Sequence, residues 1–497
     1  MTMERLLWEE DATGLAARVH AGDVTPLELI DAAIARAERV NPEINAIAER
    51  TYEAARGAAK SVDRRAPFAG VPFVIKDLTI SQRGVPTHSG SRAPAFVPDF
   101  DSVLVERHRA AGLIPIATST TPEYGLRLMT ETAAFGITRN PWNIAHTSGG
   151  SSGGSAALVA AGVVPMAHAS DGGGSIRVPA ACTGLVGLKP SRGRVPLSPA
   201  ISEGWHGLTG EHALTRSVRD TAALLDLTHG PDILAPYAAR PPKGAFAAAA
   251  ARSPGKLKIG IYRKSPLALP ISAETLQALD AAIALAREGG HTTEEIDLPM
   301  VGEQYWADFA YTIASSMAGV MRLESARIGR PILGELERAT RVISRFGDVI
   351  TAGEAHAALL RLHAVSRQIV AATAKFDAVL MPIIAHPPLP CGGMNPKGAD
   401  ELLENIADKL RLTRLLRLKP FRDKLLHSSL WFTHWPAIQN ISGQPAIALP
   451  VHVTKAGLPL GIQAVGRPGD EETLLSLAGQ FETISQWGQR RAQFHIP

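Results

Sequence analysis

Apolar and polar positions follow two rhythms along this chain. After Thr25-Pro26-Leu27-Glu28, the residues Ile30, Ala33, Ile34 and Ala37 recur at the spacing of one helix face. Thr25 reads as the cap, Pro26 as the first turn and Glu28 as the partner in a capping box, with Asn41-Pro42 as the expected end. Residues 102–111 and 155–161 read as helices, stopped by Gly112 and Gly162. Short apolar runs between turn residues predict buried strands over 71–75, 113–117 and 163–166. Later strands are expected over 258–262, 378–381, 446–453 and 461–465. The Ala-rich stretch 244–251 beside Pro241-Pro242 reads as a loop or a loosely ordered connection. Strands alternating with helices predict an α/β protein.

Composition narrows the class. A chain of 497 residues can bury a large core, and no Gly-, Ser- or Pro-rich linker cuts it cleanly. Its formal net charge of +4 is small for that length and argues against a nucleic-acid partner. The two cysteines, Cys182 and Cys391, form neither a metal-site spacing nor a secreted disulfide framework, which fits a reducing cytoplasm. The first eleven residues are acidic and lack the apolar region of a signal peptide. The longest nearly apolar run, 156–169, is too short for a membrane span and contains Gly162 and Pro165.

The chemistry concentrates in two Gly–Ser clusters: Gly149-Gly150-Ser151-Ser152-Gly153-Gly154-Ser155, and Ser170-Asp171-Gly172-Gly173-Gly174-Ser175-Ile176-Arg177. Lys76 stands upstream, at the end of the predicted strand 71–75. Consecutive glycines leave backbone N–H groups open to a substrate oxygen. A serine hydroxyl needs a base, and a buried lysine supplies one without histidine. Neither cluster holds the lysine of a phosphate-binding P-loop, and neither fits a dinucleotide fingerprint. The competing pattern is the G-x-S-x-G elbow, with Ser151 as nucleophile and Asp377 and His434 as downstream partners. Cys182 lacks an activating neighbour in sequence and reads as small core, and His168 as a packed histidine.

At these residues the sequence resembles the amidase signature family. The resemblance rests on residues 149–157, on 171–180, on Lys76-Asp77, on Gly184-Leu185-Val186-Gly187-Leu188-Lys189-Pro190 and on Thr215-Arg216-Ser217-Val218-Arg219-Asp220. Ser442-Gly443-Gln444-Pro445-Ala446 and the following segment through Gln463 extend it toward the C-terminus. It implies a single domain over 1–497, with a mixed twisted sheet covered by helices on both faces. Within it, 60–230 would form the catalytic core, 231–440 a variable substrate-shaping region and 441–497 a return to the core.

The resemblance also implies the roles. Ser175 would attack, Ser151 would relay a proton after a cis bond from Gly150, and Lys76 would be the base. The N–H groups of Gly172, Gly173, Gly174 and Ser175 would form an oxyanion hole, supported by Ser152, Asp171 and Arg177. The family more often has Thr or Ile where this chain has Gly172, so the sequence predicts extra room or loop freedom there. Residues 167–177 are similar to hydrolases of cyclic 6-aminohexanoate dimers. Carboxamide hydrolysis through an acyl-enzyme follows, on cyclic or linear aminohexanoate amides, aryl amides or carbamates, with no metal or organic cofactor. The partner is a small amide in a cytoplasmic enzyme, with a homodimer as the default assembly and no nucleic acid or membrane. Two other readings are a glutamine-dependent amidotransferase subunit and an esterase using the Ser151 elbow. Trp306, Phe309, Tyr311, Trp431, Phe432 and Trp435 are aromatic candidates for core or pocket walls. The basic run Arg411, Arg414, Arg417, Lys419, Arg422 and Lys424 reads as a solvated helix face.

Overall fold

The computed structural model describes residues 2–495; residue 1 and residues 496–497, the outer limits of the expected domain, lie outside the described residues. Its centre is an eight-stranded mixed sheet. In spatial order the strands are Thr292–Glu295, Lys258–Ile261, Ala378–Pro382, Pro459–Gly466, Ala446–Val453, Val186–Lys189, Gly210–Thr215 and Met166–Asp171. The first three run parallel, and every later neighbour is antiparallel. One sheet therefore takes strands from each of the segments 60–230, 231–440 and 441–497.

Helices cover both faces, and two of their close approaches fall on glycines. A Cβ on Gly461 would lie 2.9 Å from Ala181 Cα, in the helix Arg177–Thr183. A Cβ on Gly466 would lie 2.9 Å from Leu474 Cγ, in the helix Glu471–Ser485. Positions five apart on a strand point to opposite faces, so these two helices sandwich the same strand. A mixed sheet between two helical layers is the α/β architecture expected from the sequence.

A second, three-stranded sheet sits beside the edge strand Met166–Asp171. Its middle strand, Ile114–Ser119, is antiparallel to Ile47–Arg50 and parallel to Pro72–Lys76. Pro72–Lys76 is buried along its length and ends on Lys76. The Lys76 N–H donates to His168 Nδ1 at 3.3 Å, which ties the small sheet to the large one.

Three expectations change. The helix Pro26–Ile44 has the expected capping box but runs through Pro42. Pro42 falls in the last turn, and the helix ends at Asn45, whose φ is 49°. Asn41 Oδ1 accepts from the N–H groups of Ala46 and Ile47 at 2.8 and 3.1 Å, so it braces the chain after the helix. The strand expected over 163–166 instead spans Met166–Asp171. Gly162, with φ 68°, and Pro165 keep 162–165 in a turn, while Ala-His-Ala-Ser pairs in full with Gly210–Thr215. The segment 244–251 is not a loose connection: Phe246–Ala251 is a helix. Asp226 accepts from the N–H groups of Phe246 and Ala247 at 2.7 and 2.9 Å, a cap supplied from another helix.

Gly187 is a second close link between the sheet and the helix that follows Ser175. A Cβ there would meet Ala180 Cβ and Ile176 Cγ2, each at 2.9 Å. Gly187→Val is expected to destabilise the protein by about 1–3 kcal/mol, read as a lowered urea midpoint.

Candidate active site

The strand Pro72–Lys76 carries the Lys76 side chain into a buried polar niche, where it is 1% exposed. Its ammonium nitrogen, Nζ, lies 2.8 Å from Ser151 Oγ and 2.8 Å from Ser170 Oγ. Burial lowers the Lys76 pKa to about 7, against the opposing charges of Glu211 and Asp171. Ser151 follows a cis peptide bond from Gly150. Gly150 lies hard against the chain opposite: a Cβ there would be 2.8 Å from Leu128 C and Met129 N.

Ser152 ties the two Gly–Ser clusters together. Its N–H donates to the Ser175 carbonyl at 3.2 Å, and its hydroxyl is 3.3 Å from both the N–H and the C=O of Ser170. Ser155 does not cap a helix: it lies inside Gly153–Ala160, donates to the His168 carbonyl at 2.7 Å and meets Ser119 Oγ at 2.7 Å.

Asp171 and Arg177 hold the loop that carries Ser175. Asp171 accepts from the Gly174 N–H at 2.7 Å and the Ile176 N–H at 3.1 Å, and pairs with Arg177 Nε at 2.9 Å, both side chains fully buried. Burial alone would raise the Asp171 pKa; the charge and hydrogen bonds of Arg177 hold it down to about 2. Arg177 also reaches Gln439, Gln463 and Asn440 at 3.1, 2.8 and 2.7 Å. Every arm of the guanidinium is thereby used, as a buried charge requires.

The loop amides divide into two groups. Gly174, grouped with the oxyanion donors on the sequence, has its N–H on Asp171 Oδ1; its φ of 128° is one that glycine alone adopts readily. Among the described residues, the N–H groups of Gly172, Gly173 and Ser175 make no hydrogen bond within the protein. Ser175 is 6% exposed, more open than Ser151 or Lys76. The extra room expected beside Gly172 is absent. A Cβ there would lie 2.6 Å from Trp205 Cζ3, because the indole occupies the space that a side chain at 172 would fill.

The elbow reading finds no geometric support. Asp377 is bound to the Lys258 N–H and to Arg467, and His434 to Ser265 Oγ and the Leu430 carbonyl. Cys182 is fully buried, and burial pushes its thiol pKa up, so it is core as read. Among the described residues no group of three or more His, Cys, Asp or Glu side chains is placed to hold a metal ion, and no helix is long and apolar enough to cross a membrane.

Comparison with known proteins identifies the family. The Amidase family model matches residues 28–475. The chain belongs to the Amidase family. It is 35% identical to a 6-aminohexanoate-cyclic-dimer hydrolase of Paenarthrobacter ureafaciens, over 99% of this chain and 98% of that one. A solved 6-aminohexanoate cyclic dimer hydrolase superposes with a TM-score of 0.89 at 32% identity, covering 98% and 99% of the two chains. A bacterial aryl acylamidase of the amidase signature family superposes with a TM-score of 0.84 at 26% identity, covering 97% and 98%. The protein is an amidase, a hydrolase of carbon–nitrogen bonds other than peptide bonds.

Several residues of the candidate site in this amidase escaped the sequence reading. Ser170 lies inside the second cluster, but nothing in the sequence marks its hydroxyl as a partner of Lys76. Glu211 is fully buried against His168 Nε2 at 3.0 Å. Because the Lys76 N–H occupies Nδ1, the neutral ring carries its proton on Nε2 and donates to Glu211. Asn440 and Gln463 lie 263 and 286 residues beyond Arg177, which they brace; the late Ser-Gly-Gln-Pro-Ala motif is the one local signal near Asn440. Among the aromatic candidates, Phe309 reaches the site: its Cζ is 3.5 Å from the Cβ position of Gly173. Trp306, Phe432 and Trp435 are fully buried core. In the basic run, Arg417 pairs with Glu354, and Lys419 with Glu303 and Asp423.

Asp171→Ala would leave Arg177 buried without its anion. The expected cost is about 3–5 kcal/mol, seen as a lower unfolding midpoint in urea, with activity falling in parallel as the loop loses its brace.

Proposed function

We propose that this amidase cleaves small carboxamides through a serine acyl-enzyme, with Ser175 as nucleophile, Ser151 as relay and Lys76 as base. The observation that carries the reading is the buried Lys76 amine at 2.8 Å from Ser151 Oγ. A lysine of ordinary pKa, about 10.4, would hold its proton at neutral pH; this one is held near 7 by burial.

In acylation, the Ser175 oxygen bonds to the carbonyl carbon, its proton passes to Ser151 Oγ, and the Ser151 proton passes to Lys76 Nζ. Charge develops on the carbonyl oxygen. The N–H groups of Gly172, Gly173 and Ser175 are assigned to it, while Gly174 serves the loop through Asp171. Each such donor contributes on the order of 3 kcal/mol to the transition state. Collapse breaks the C–N bond, and the proton returns from Lys76 through Ser151 to the departing amine. Water then attacks the ester, gives its proton along the same path, and releases the acid and Ser175. Ser170 Oγ accepts from the Lys76 amine at 2.8 Å and leaves the nitrogen lone pair for the Ser151 proton.

Substrates are proposed from the relatives: cyclic or linear 6-aminohexanoate amides first, then aryl amides, with carbamates as chemical analogues. The test is hydrolysis of 6-aminohexanoate cyclic dimer, an anilide and an aryl carbamate by the parent enzyme and by Ser175→Ala, Ser151→Ala and Lys76→Ala. Ser175→Ala is expected to lose activity by at least about 10³-fold, and Lys76→Ala by about 10²–10⁴-fold. Activity persisting in Ser175→Ala rules the mechanism out. The base sets the sign of the pH dependence. Neutral Lys76 is the active form, so kcat/KM rises with pH through about 7 and levels off above it. That limb should vanish from the residual activity of Lys76→Ala.

A further inference from the structure

The loop after Pro199 places an indole where the chain lacks a side chain. Trp205 Cζ3 and Cε3 lie 2.6 and 2.9 Å from the Cβ position of Gly172. Trp205, His206 and Gly207 all have positive φ, of 47°, 57° and 76°. Two of the three are not glycine, and such backbone persists only where its surroundings enforce it. Here they do. Arg192 Nε donates to the Gly207 carbonyl at 2.6 Å, and the Leu208 N–H closes back on the Gly204 carbonyl at 3.1 Å. Asn440 Nδ2 donates to the Leu208 carbonyl at 2.9 Å, and the same amide group donates to the Asp171 carbonyl at 2.7 Å and to Asp171 Oδ1 at 3.0 Å. One side chain therefore fixes both the tryptophan loop and the loop that carries Ser175.

The surroundings are apolar. Trp205 packs against the cluster of Met317, Met321 and Ile332, and also against the neighbouring cluster that contains Phe309. Phe309 in turn flanks Gly173. Two aromatic rings thus stand beside successive glycines of the nucleophile loop.

We infer that Trp205 sets the width of the slot beside Gly172 and selects acyl groups that are unbranched at the carbon next to the carbonyl. This rests on the reading of Ser175 as nucleophile and the Gly172 N–H as an oxyanion donor. A carbonyl held at that N–H brings its substituent close to the indole edge. A methylene chain can lie along the edge, whereas a branch at the first carbon collides with it. Misfit by one methyl group in an apolar slot discriminates by about 10–200-fold. The position that most directly shapes this slot is therefore a residue of a distant loop, acting in place of a side chain at 172.

The test uses covalent labelling, which requires no knowledge of the natural substrate. Ethyl octylphosphonofluoridate carries a straight chain on phosphorus, and ethyl (1-methylheptyl)phosphonofluoridate is its isomer branched at the first carbon. Second-order inactivation rates are measured for the full-length parent, Trp205→Phe, Trp205→Ala, Gly172→Ala and the Gly172→Ala/Trp205→Ala double variant, with the labelled serine located by mass. Thermal midpoints are recorded for each. The parent should favour the straight probe, and Trp205→Ala should shift the branched-to-straight ratio upward by about tenfold or more, with Trp205→Phe between them. Gly172→Ala alone should lower both the midpoint and labelling by either probe, and the double variant should recover the midpoint. A ratio unchanged within about twofold in the tryptophan variants, with Ser175 labelled, overturns the role of Trp205 alone. A double variant no more stable than Gly172→Ala overturns the contact itself. Failure of the parent to label at Ser175, while the stability coupling between 172 and 205 is intact, instead removes the nucleophile assignment on which the selection rests.

Discussion

A primary amine enclosed by strands and helices loses the water that would hold its charge. Lys76 is in that position. The amine needs acceptors or donors at hydrogen-bond distance, and two hydroxyls supply them, Ser151 Oγ and Ser170 Oγ at 2.8 Å each. Burial shifts the balance toward the neutral form, and the nearby carboxyl groups of Glu211 and Asp171 pull the other way. Asp171 is already neutralised by Arg177, and Glu211 is itself raised to about 8 by burial. Neither offers Lys76 the free counter-ion that would lock it as an ammonium. An amine that titrates near neutrality results from this arrangement, the property the proposed base requires.

The same economy of buried polar groups holds the loop that carries Ser175. Three glycines in a row would leave a loop with many accessible conformations. Asp171 removes that freedom by accepting from Gly174 and Ile176 and by pairing with Arg177. Arg177 extends the hold to Gln439, Asn440 and Gln463, two of them on the helix Ala437–Ser442 and one on the strand Pro459–Gly466. In a buried network an unmatched member costs as much as the matched ones contribute, so these contacts stand or fall together. The C-terminal part of the chain is thus a structural member of the site, although it offers no group to the proposed reaction.

Much of the site is legible in the sequence because its chemistry is local. Runs of Gly and Ser appear where backbone must approach a ligand, and a lysine closes an apolar strand. Those patterns lead to Lys76, Ser151, Ser175, Asp171 and Arg177, and the structure brings Lys76 to Ser151 and Asp171 to Arg177. The departures share a cause. Pro42 reads as a stop, yet a proline in the last turn is tolerated here, where Asn41 braces Ala46 and Ile47 beyond the helix end. The alanine-rich stretch reads as loose, yet Asp226 from another helix caps it. The strand Met166–Asp171 is hidden because its polar residues are buried through partners far along the chain. For the last two the deciding partner is not a sequence neighbour, and for Pro42 it is a side chain whose hydrogen bonds the apolar pattern does not register.

Gly172 shows the division most clearly. The sequence by itself determined that this position has no side chain, that its amide is uncovered and that a serine stands three residues later. Open space is the natural expectation from that. Tertiary structure decided otherwise, because volume is a property of everything that packs around a point, and Trp205 arrives there from a loop more than thirty residues away. The chain alone specified which atoms could react, since bonding capacity and backbone freedom belong to each residue. The neighbours those atoms meet depended on packing, which no single residue carries.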